Sequence, residues 1–320
     1  MIIRNLMSNF FEILRAGINT TFQDEGRNNL YHIGIPFSGA MDSRNYKLAN
    51  SIVGNKTNKP VIEFAYQGPL LKYNGKKLNF VITGNVIFKL IKKKNEIYGN
   101  CYESYLLEDG DKIDIISTNK SVYGYLAING DFDLKFQWGS CSVNTKANIG
   151  SNNGKKLEIN QKINILKISS ILRKKKLNYI NSRIEKIRVI KGTNFEFFSN
   201  HGKQTFFEKE FTVSKLSDRM GMRLEGQNIE NKADKNIKSE GLIKGVIQVT
   251  PDGNAIIMLS DHGTIGGYPK IGVVISADYD KLVQLPPGSK IKFQEINLSD
   301  AETLFKLYEM ETQKLILQIL

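Results

Sequence analysis

Short apolar, β-branched or aromatic runs of four to eight residues recur along the chain, and glycine-containing turns separate them. The clearest are 78–83 (LNFVIT), 86–91 (VIFKLI), 113–116 (IDII), 125–128 (YLAI), 187–190 (IRVI), 245–249 (GVIQV), 255–260 (AIIMLS), 271–276 (IGVVIS) and 290–293 (KIKF). Runs of this length and residue type predict strands. The dipeptides Asn74-Gly75, Asp109-Gly110, Asn129-Gly130 and Asp252-Gly253 tolerate positive φ, and so predict tight hairpins. The pattern is that of a mainly β protein with antiparallel sheets, closed or packed, and not of a βαβ array. Two helices interrupt it. One is predicted over 43–53, with Asp42 before it as a cap, Tyr46, Ala49 and Val53 on one face, and Gly54 as its stop. The other is predicted from Ser299, where Ser299 and Glu302 form a capping box, through Leu304, Leu307, Tyr308, Leu315 and Ile319 to the C-terminus. Both are expected to pack on a barrel, a contact with a partner protein being the other reading of the C-terminal helix.

At 320 residues the chain predicts two domains, at about 150 residues each. Residues 150–185 are rich in Asn, Ser and Lys and hold an interrupted strand at 162–171 (KINILKISSI), which puts the boundary near 172–184. The predicted organisation is a lobe over 11–175, a second over 185–298 and a C-terminal helix over 299–320. EDGDKIDI (108–115) and PPGSKIKF (286–293) echo each other without amounting to a repeat.

Hydrophobic residues make up 41% of the chain and charged residues 24%, enough apolar surface for cores that need no staples. The two cysteines, Cys101 and Cys141, form neither a disulfide framework nor a zinc motif, which fits the cytoplasm. The opening MIIRNLMSNFFEILRAG lacks the features of a signal peptide, and no stretch approaches the roughly 20 apolar residues that cross a bilayer. A soluble protein away from membranes is expected. The formal charge is +13, but its densest runs, 92–94 and 173–176, are short, far apart and free of interleaved aromatics. That distribution describes solvated basic loops and not a nucleic-acid site, although it favours the recruitment of small anions.

Most catalytic signatures are missing. The nearest approach to a P-loop, Gly150 to Lys156, has three residues between its glycines and Lys156 where a hydroxyl would ligate magnesium. There is no HExxH, and His32, His201 and His262 are too dispersed to imply a metal centre. GxSxG and the Met-Lys-Met site of a biotin carrier are also absent.

Three polar, glycine-rich segments lie within the apolar sheet sequence: TTFQDEGR (20–27) with GIPFSGAMD (34–42), SDRMGMRLEG (217–226) and SDHGTIGGYPK (260–270). Loops of Gly, carboxylate, Arg and hydroxyl on a rigid scaffold are where binding sites are built. These strings, with LANSIVGN (48–55), EFAYQGP (63–69), SEG (239–241), GVIQVTPDG (245–253) and Ala277-Asp278, resemble the biotin-dependent-carboxyltransferase-like family. That family contains the C subunit of 5-oxoprolinase, the KipI antagonist and the carboxyltransferase domain of urea carboxylase. The resemblance covers roughly residues 11–296. It implies two cyclophilin-like β-barrel lobes and a complex with two partner proteins, one KipI-like and one LamB/YcsF-like. It also implies ATP-dependent hydrolysis of 5-oxoproline to glutamate, with ATP used at the level of the complex and no biotin attached to this chain.

Opening a five-membered lactam demands loss of amide resonance, which phosphorylation of the lactam oxygen would ease. The chemistry needs a cationic clamp, backbone donors and a carboxylate to direct water. Arg27, Arg219, Arg223 and Lys270 are the candidate cations, Arg as a planar fork and Lys as a point charge. Asp261 is the candidate water-directing carboxylate, so Asp261, Arg219 and Lys270 form the catalytic set. Gln23, Asp24, Arg27, Ser38, Gly39, Arg223, Gly266, Gly267 and Tyr268 form the binding set, with no metal ligand. Each has a plainer reading. Arg27 beside Asp24 and Arg219 beside Asp218 also fit ion pairs that tie loops, Asp42 a helix cap, and Ser38 a turn. Three places depart from the family pattern: Asn28-Asn29, Cys141 in GSCS (139–142) where Arg is usual, and His262-Gly263 where an Arg-Gln pair is usual. A thiol does not clamp an anion as Arg does, so the departures bear on the substrate. Two other functions fit the same motifs: biotin-dependent carboxyl transfer to a small amide, and non-catalytic sequestration of a KipI-like inhibitor.

Overall fold

The protein is described from a computed structural model, which covers residues 8–179, 184, 186–232 and 237–319. The opening residues 1–7, and residues 180–183 of the expected boundary, lie outside them. The chain forms two compact units. The first comprises the described residues within 1–26, 43–181 and 314–320, and the second those within 27–42 and 182–313.

In the first unit a seven-stranded sheet runs in the order β11 (Gly130–Phe132), β12 (Lys162–Ile168), β1 (Asn9–Arg15), β4 (Leu70–Asn74), β9 (Lys112–Thr118), β6 (Val86–Ile91) and β7 (Glu96–Tyr98). A five-stranded sheet runs β2 (Asn19–Gln23), β3 (Val61–Ala65), β10 (Tyr123–Ile128), β5 (Leu78–Thr83) and β8 (Ser104–Leu107). Alternate residues of both build one core: Phe11 and Ile13, Leu71 and Tyr73, Ile113 and Ile115 from the first sheet, Phe80 and Ile82, Ile62 and Phe64, Leu126 and Ile128 from the second. A side-chain period of two sends such pairs to one face, and two such faces make a sandwich. β3, β5 and β10 are buried along their whole length, and helix α1 (Ser43–Ile52) packs on β5 and β10. Asn45 fixes it there, its carbonyl accepting from Thr83 Oγ1 at 2.8 Å and its side chain from the Tyr102 hydroxyl at 2.6 Å.

The second unit holds a closed barrel in the order β13 (Lys186–Lys191), β20 (Lys270–Val274), β17 (Val246–Val249), β18 (Ala255–Met258), β15 (Gly221–Glu225), β14 (Phe211–Val213) and β21 (Lys290–Glu295). The parallel pairing of β13 with β21 closes it. Phe293 stacks on Phe206 of α2 (Asn200–Glu208) with centroids 4.4 Å apart and lies 5.8 Å from Phe211. α3 is Ser276–Leu282. On the barrel's outer surface Leu242, Val246 and Met258 form a second apolar patch with Ile256 and Val273. Beside it a two-residue ribbon pairs β16 (Glu240–Gly241) with β19 (Ile265–Gly266). No helix among the described residues is long and apolar enough to cross a membrane.

Every run named from the sequence overlaps a strand, 271–276 running on into α3, but the turns differ from expectation. Only Asp252-Gly253 joins paired neighbours, β17 and β18. Asn74-Gly75, Asp109-Gly110 and Asn129-Gly130 each connect a strand of one sheet to a strand of the other. Gly75 and Gly110 do adopt positive φ, at 142° and 86°. Positive φ thus turns the chain at a sandwich corner as well as in a hairpin, and the dipeptide does not say which.

The C-terminal helix α4 (Leu298–Leu317) starts one residue earlier than the capping-box reading placed it. Its cap is Asn297, whose Oδ1 accepts from the Asp300 amide at 2.8 Å while its Nδ2 donates to the Asp300 carboxylate at 2.9 Å. Ala301, Leu304 and Tyr308 then pack with Ile275, Ala277 and Ile296 of the second unit. Asn297→Ala should therefore cost about 1 kcal/mol, while Ser299→Ala changes stability little. Urea unfolding of the two variants measures the difference, and the reverse ranking would return the cap to Ser299.

Candidate functional site

Most of the predicted residues belong to the second unit, in two groups. The first is built where residues 27–42 run beside the loops after β14 and β18. The Arg27 amide donates to the Phe37 carbonyl at 2.8 Å and closes a loop that carries a short 3-10 turn over Tyr31–Ile33. Ser38 and Gly39 follow with φ of 59° and 82°. A positive φ at a serine is uncommon, and two contacts hold it: the Ser38 amide donates to the Ser260 carbonyl at 2.9 Å, and the Gly39 carbonyl accepts from Arg219 Nη2 at 2.7 Å.

Arg219 is the centre of this group. Its Nε and Nη2 donate to the two oxygens of Asp261 at 2.8 and 3.0 Å, and the Asp261 amide donates to the Arg219 carbonyl at 2.9 Å. Both side chains are buried, 7% and 3% exposed. The neighbouring Asp218 plays another part, accepting from the amides of Met220 and Gly221 to shape the turn into β15. Arg219 is thus an ion-pair residue, as its plainer reading had it, but its partner is Asp261, 42 positions away. Nothing in the spacing reveals that choice, because the hydrogen bonds of β15 to β18 bring the two loops together. Asp42 accepts from Gln284 Nε2 at 2.8 Å.

Next to this pair the His262 ring meets Tyr31. Nδ1 lies 2.6 Å from the Gly263 carbonyl, which can only accept, so Nδ1 carries the proton and Nε2 accepts from the Tyr31 hydroxyl at 3.1 Å. Arg27, Asn28, Asn29, Tyr31, His32 and Phe37 line a cleft of about 490 Å³ here. Lys244 Nζ sits 4.3 Å from the Tyr279 ring centroid and 5.6 Å from that of Phe37.

The second group surrounds Lys270 at the start of β20. Its Nζ is paired with Glu240 on the ribbon. Its amide donates to Asn194 Oδ1 at 3.1 Å, and its carbonyl accepts from the Asn194 amide at 3.3 Å. Gln248 Nε2 donates to the Tyr268 carbonyl at 3.0 Å. A Cβ on Gly266 would stand 2.7 Å from the Gln248 amide nitrogen, so glycine is what lets the loop lie this close. Gly267 and Tyr268 continue the same loop. Arg223 joins neither group, since it sits within β15 with its side chain exposed.

Gln23 and Asp24 belong to the first unit and serve its architecture. Gln23 Nε2 donates to Thr21 Oγ1 and the Val143 carbonyl, both at 2.9 Å. Asp24 accepts from the hydroxyls of Ser140 and Ser142 at 2.5 and 2.6 Å and from the amides of Cys141 and Gly26 at 2.7 and 2.9 Å. Cys141 is fully buried, and burial pushes the other thiol, Cys101, up to about 11, the signature of structural cysteines. Glu240, Asn194, Gln248 and Tyr31 were not among the predicted site residues. Of these Glu240 and Gln248 had a sequence signal, the Ser-Glu-Gly string and GVIQVTPDG (245–253).

Burial pushes the His262 imidazole below its ordinary value of 6.5, against the smaller opposing effects of the Gly263 carbonyl and Asp261. The unfolded chain then binds this proton at a higher pH than the folded one. The contribution is fully present above about pH 6.5, the unfolded value, and is lost as pH falls from there through the lowered folded value. Wild-type stability should drop as pH falls below about 6.5 in urea titrations, and His262→Gln should flatten that drop. An unchanged slope would assign the proton uptake elsewhere.

With this geometry in view, comparison with known proteins is specific. The family model for the carboxyltransferase domain, subdomains A and B, matches residues 33–295. The chain is 31% identical over 299 residues to the C subunit of 5-oxoprolinase from Haemophilus influenzae, covering 93% of this chain and 95% of that protein. It is 30% identical over 294 residues to the C subunit of 5-oxoprolinase from Escherichia coli, covering 91% and 92%. The crystal structure of the K. lactis urea amidolyase superposes with a TM-score of 0.87 at 26% identity, over 98% of this chain and 20% of that much longer one. A family match across most of the sequence and full-length relatives at this identity lead to one assignment: the chain belongs to the carboxyltransferase domain family, subdomains A and B, alongside the C subunits of the 5-oxoprolinases.

Proposed function

We propose that this chain is one component of an ATP-dependent 5-oxoprolinase, acting with a KipI-like and a LamB/YcsF-like partner protein in the cytoplasm to hydrolyse 5-oxoproline to glutamate. The observation that carries the reading is the end-to-end match to proteins named as the C subunit of 5-oxoprolinase, over 93% of this chain and 95% of the Haemophilus influenzae protein. ATP, held at the level of the complex, supplies a phosphoryl group that activates the lactam oxygen.

This chain's own residues bind and orient. Lys270 offers a positive charge on a fixed backbone for an anionic group. The glycines at 266 and 267 let main chain approach a flat ring. Asp261 presents a carboxylate with about four acceptor positions, of which Arg219 uses two, leaving places to hold a water. Arg219 keeps that carboxylate aimed, and through Gly39 it sets the position of Ser38. The cleft lined by Arg27, Asn28 and Asn29 adds polar donors on a segment that the same guanidinium anchors. Biotin-dependent transfer, the second reading, is favoured by the superposition on urea amidolyase.

Glutamate release should require this chain, both partner proteins, ATP and 5-oxoproline together, and should be indifferent to avidin. Equal release without this chain would refute the reading, and avidin inhibition would move it to carboxyl transfer. The roles of Arg219 and Asp261 separate in a second experiment. Arg219→Met should destabilise the chain by about 3–5 kcal/mol, because it leaves a buried carboxylate unpaired. Adding Asp261→Leu should restore most of that stability while turnover in the reconstituted complex stays abolished. Recovered turnover in the double variant would make the pair purely structural.

A further inference from the structure

Buried cations need a counter-charge, because desolvation is repaid only by a well-placed anion. Arg219 meets this with a partner as buried as itself. Lys270 does not: its side chain is 6% exposed, while that of Glu240 is 44% exposed.

The two ends of this pair are also held differently. Lys270 opens a barrel strand, pairs with Gln248 of β17, and is bracketed by two hydrogen bonds to Asn194. Glu240 lies on a ribbon of two residues per strand, paired through Gly266 and followed by Leu242, which rests on the outer apolar patch. Beside it, a Cβ on Gly241 would meet nothing within 4 Å, so the ribbon faces open space. The cation is therefore fixed in the fold, and the anion is carried by a minimal, half-exposed element.

We propose that Lys270 is the anion-binding cation of the site and that Glu240 is a resident carboxylate which the anionic group of a ligand displaces. The proposal deepens the reading given above, since it rests on the 260–270 loop serving the site. The exchange is economical in electrostatic terms. One carboxylate or phosphate replaces another, the buried ammonium is never left alone, and Glu240 moves only from half-exposed to exposed. Lys270 also holds the Glu240 carboxyl below its usual range, with help from Asn194, so the resident group is an anion at neutral pH and a true competitor. Gln248 holds the Tyr268 carbonyl two residues before Lys270, and the Tyr268 side chain is partly exposed.

The carboxylate of 5-oxoproline and a phosphate group share this chemistry, and calorimetric titration of the full chain tells them apart. Wild type, Glu240→Gln and Lys270→Met are each titrated with 5-oxoproline, its uncharged primary amide and inorganic phosphate at constant ionic strength. Removing the competitor should tighten binding of the displacing anion roughly five- to tenfold in Glu240→Gln, the size of one charge-assisted hydrogen bond that is half exposed. The amide should be unaffected. Lys270→Met, with its melting temperature checked against wild type, should bind neither anion. Tightening toward phosphate alone would keep the exchange but remove the lactam carboxylate as its ligand, so the proposal and the functional reading fail separately. Unchanged or weaker binding of both anions by Glu240→Gln would overturn it.

Discussion

The arrangement of the second unit around its candidate site depends on one buried guanidinium. Arg219 cannot lie 7% exposed without a full set of acceptors, and it draws them from places 180 and 42 positions away, the Gly39 carbonyl and the Asp261 carboxylate. Those demands fix two loops at once. The segment 27–42 clusters with the second unit although its neighbours on both sides belong to the first, and the Arg219 to Gly39 bond is one of the contacts that hold it there. A buried ion pair contributes little net stability against an apolar replacement. Its value here is positional, since a Leu-Leu contact would not dictate where a carbonyl or a carboxylate oxygen points.

Arg219–Asp261 and Lys270–Glu240 thus represent two solutions to the same cost. In the first, both partners are buried and each is fixed by main-chain bonds as well as side-chain ones, so the pair behaves as part of the scaffold. In the second, the cation opens a barrel strand and the anion is carried on a ribbon of two residues per strand. A site that must accept and release an anion needs both kinds: a charge whose position does not change, and a counter-charge that can leave.

The mainly β character was legible because alternation and β-branched runs report burial directly. LNFVIT and VIFKLI coincide with β5 and β6 to the residue. The connections were not legible. Gly75 and Gly110 announce positive φ correctly, but whether a turn returns to its own sheet or crosses to the facing one is decided by the packing of Phe11, Phe80 and their neighbours into one core. The start of α4 shows the same limit on a smaller scale, since Asn297 and Ser299 are both good caps and the packing of Ala301 against Ile275 and Ala277 selects the phase. At the site, residue types were readable and pairings were not. Arg219 was read beside Asp218, its neighbour in sequence, whereas strand register delivers Asp261.

The departures from the family pattern gain a physical meaning from this division. At Cys141 the backbone amide donates to Asp24, and the side chain is buried in the core of the first unit. At His262 the amide donates to the Leu259 carbonyl and so keeps the turn after β18 without help from the ring. At Arg27 the bond to Phe37 that closes the loop bearing Asn28 and Asn29 is likewise between main-chain groups. Main-chain bonds thus hold the loop at each of these places. The positions that differ are places where main chain carries the loop, and with His262 accepting from the Tyr31 hydroxyl, Lys270 is the one cationic side chain in the 260–270 segment.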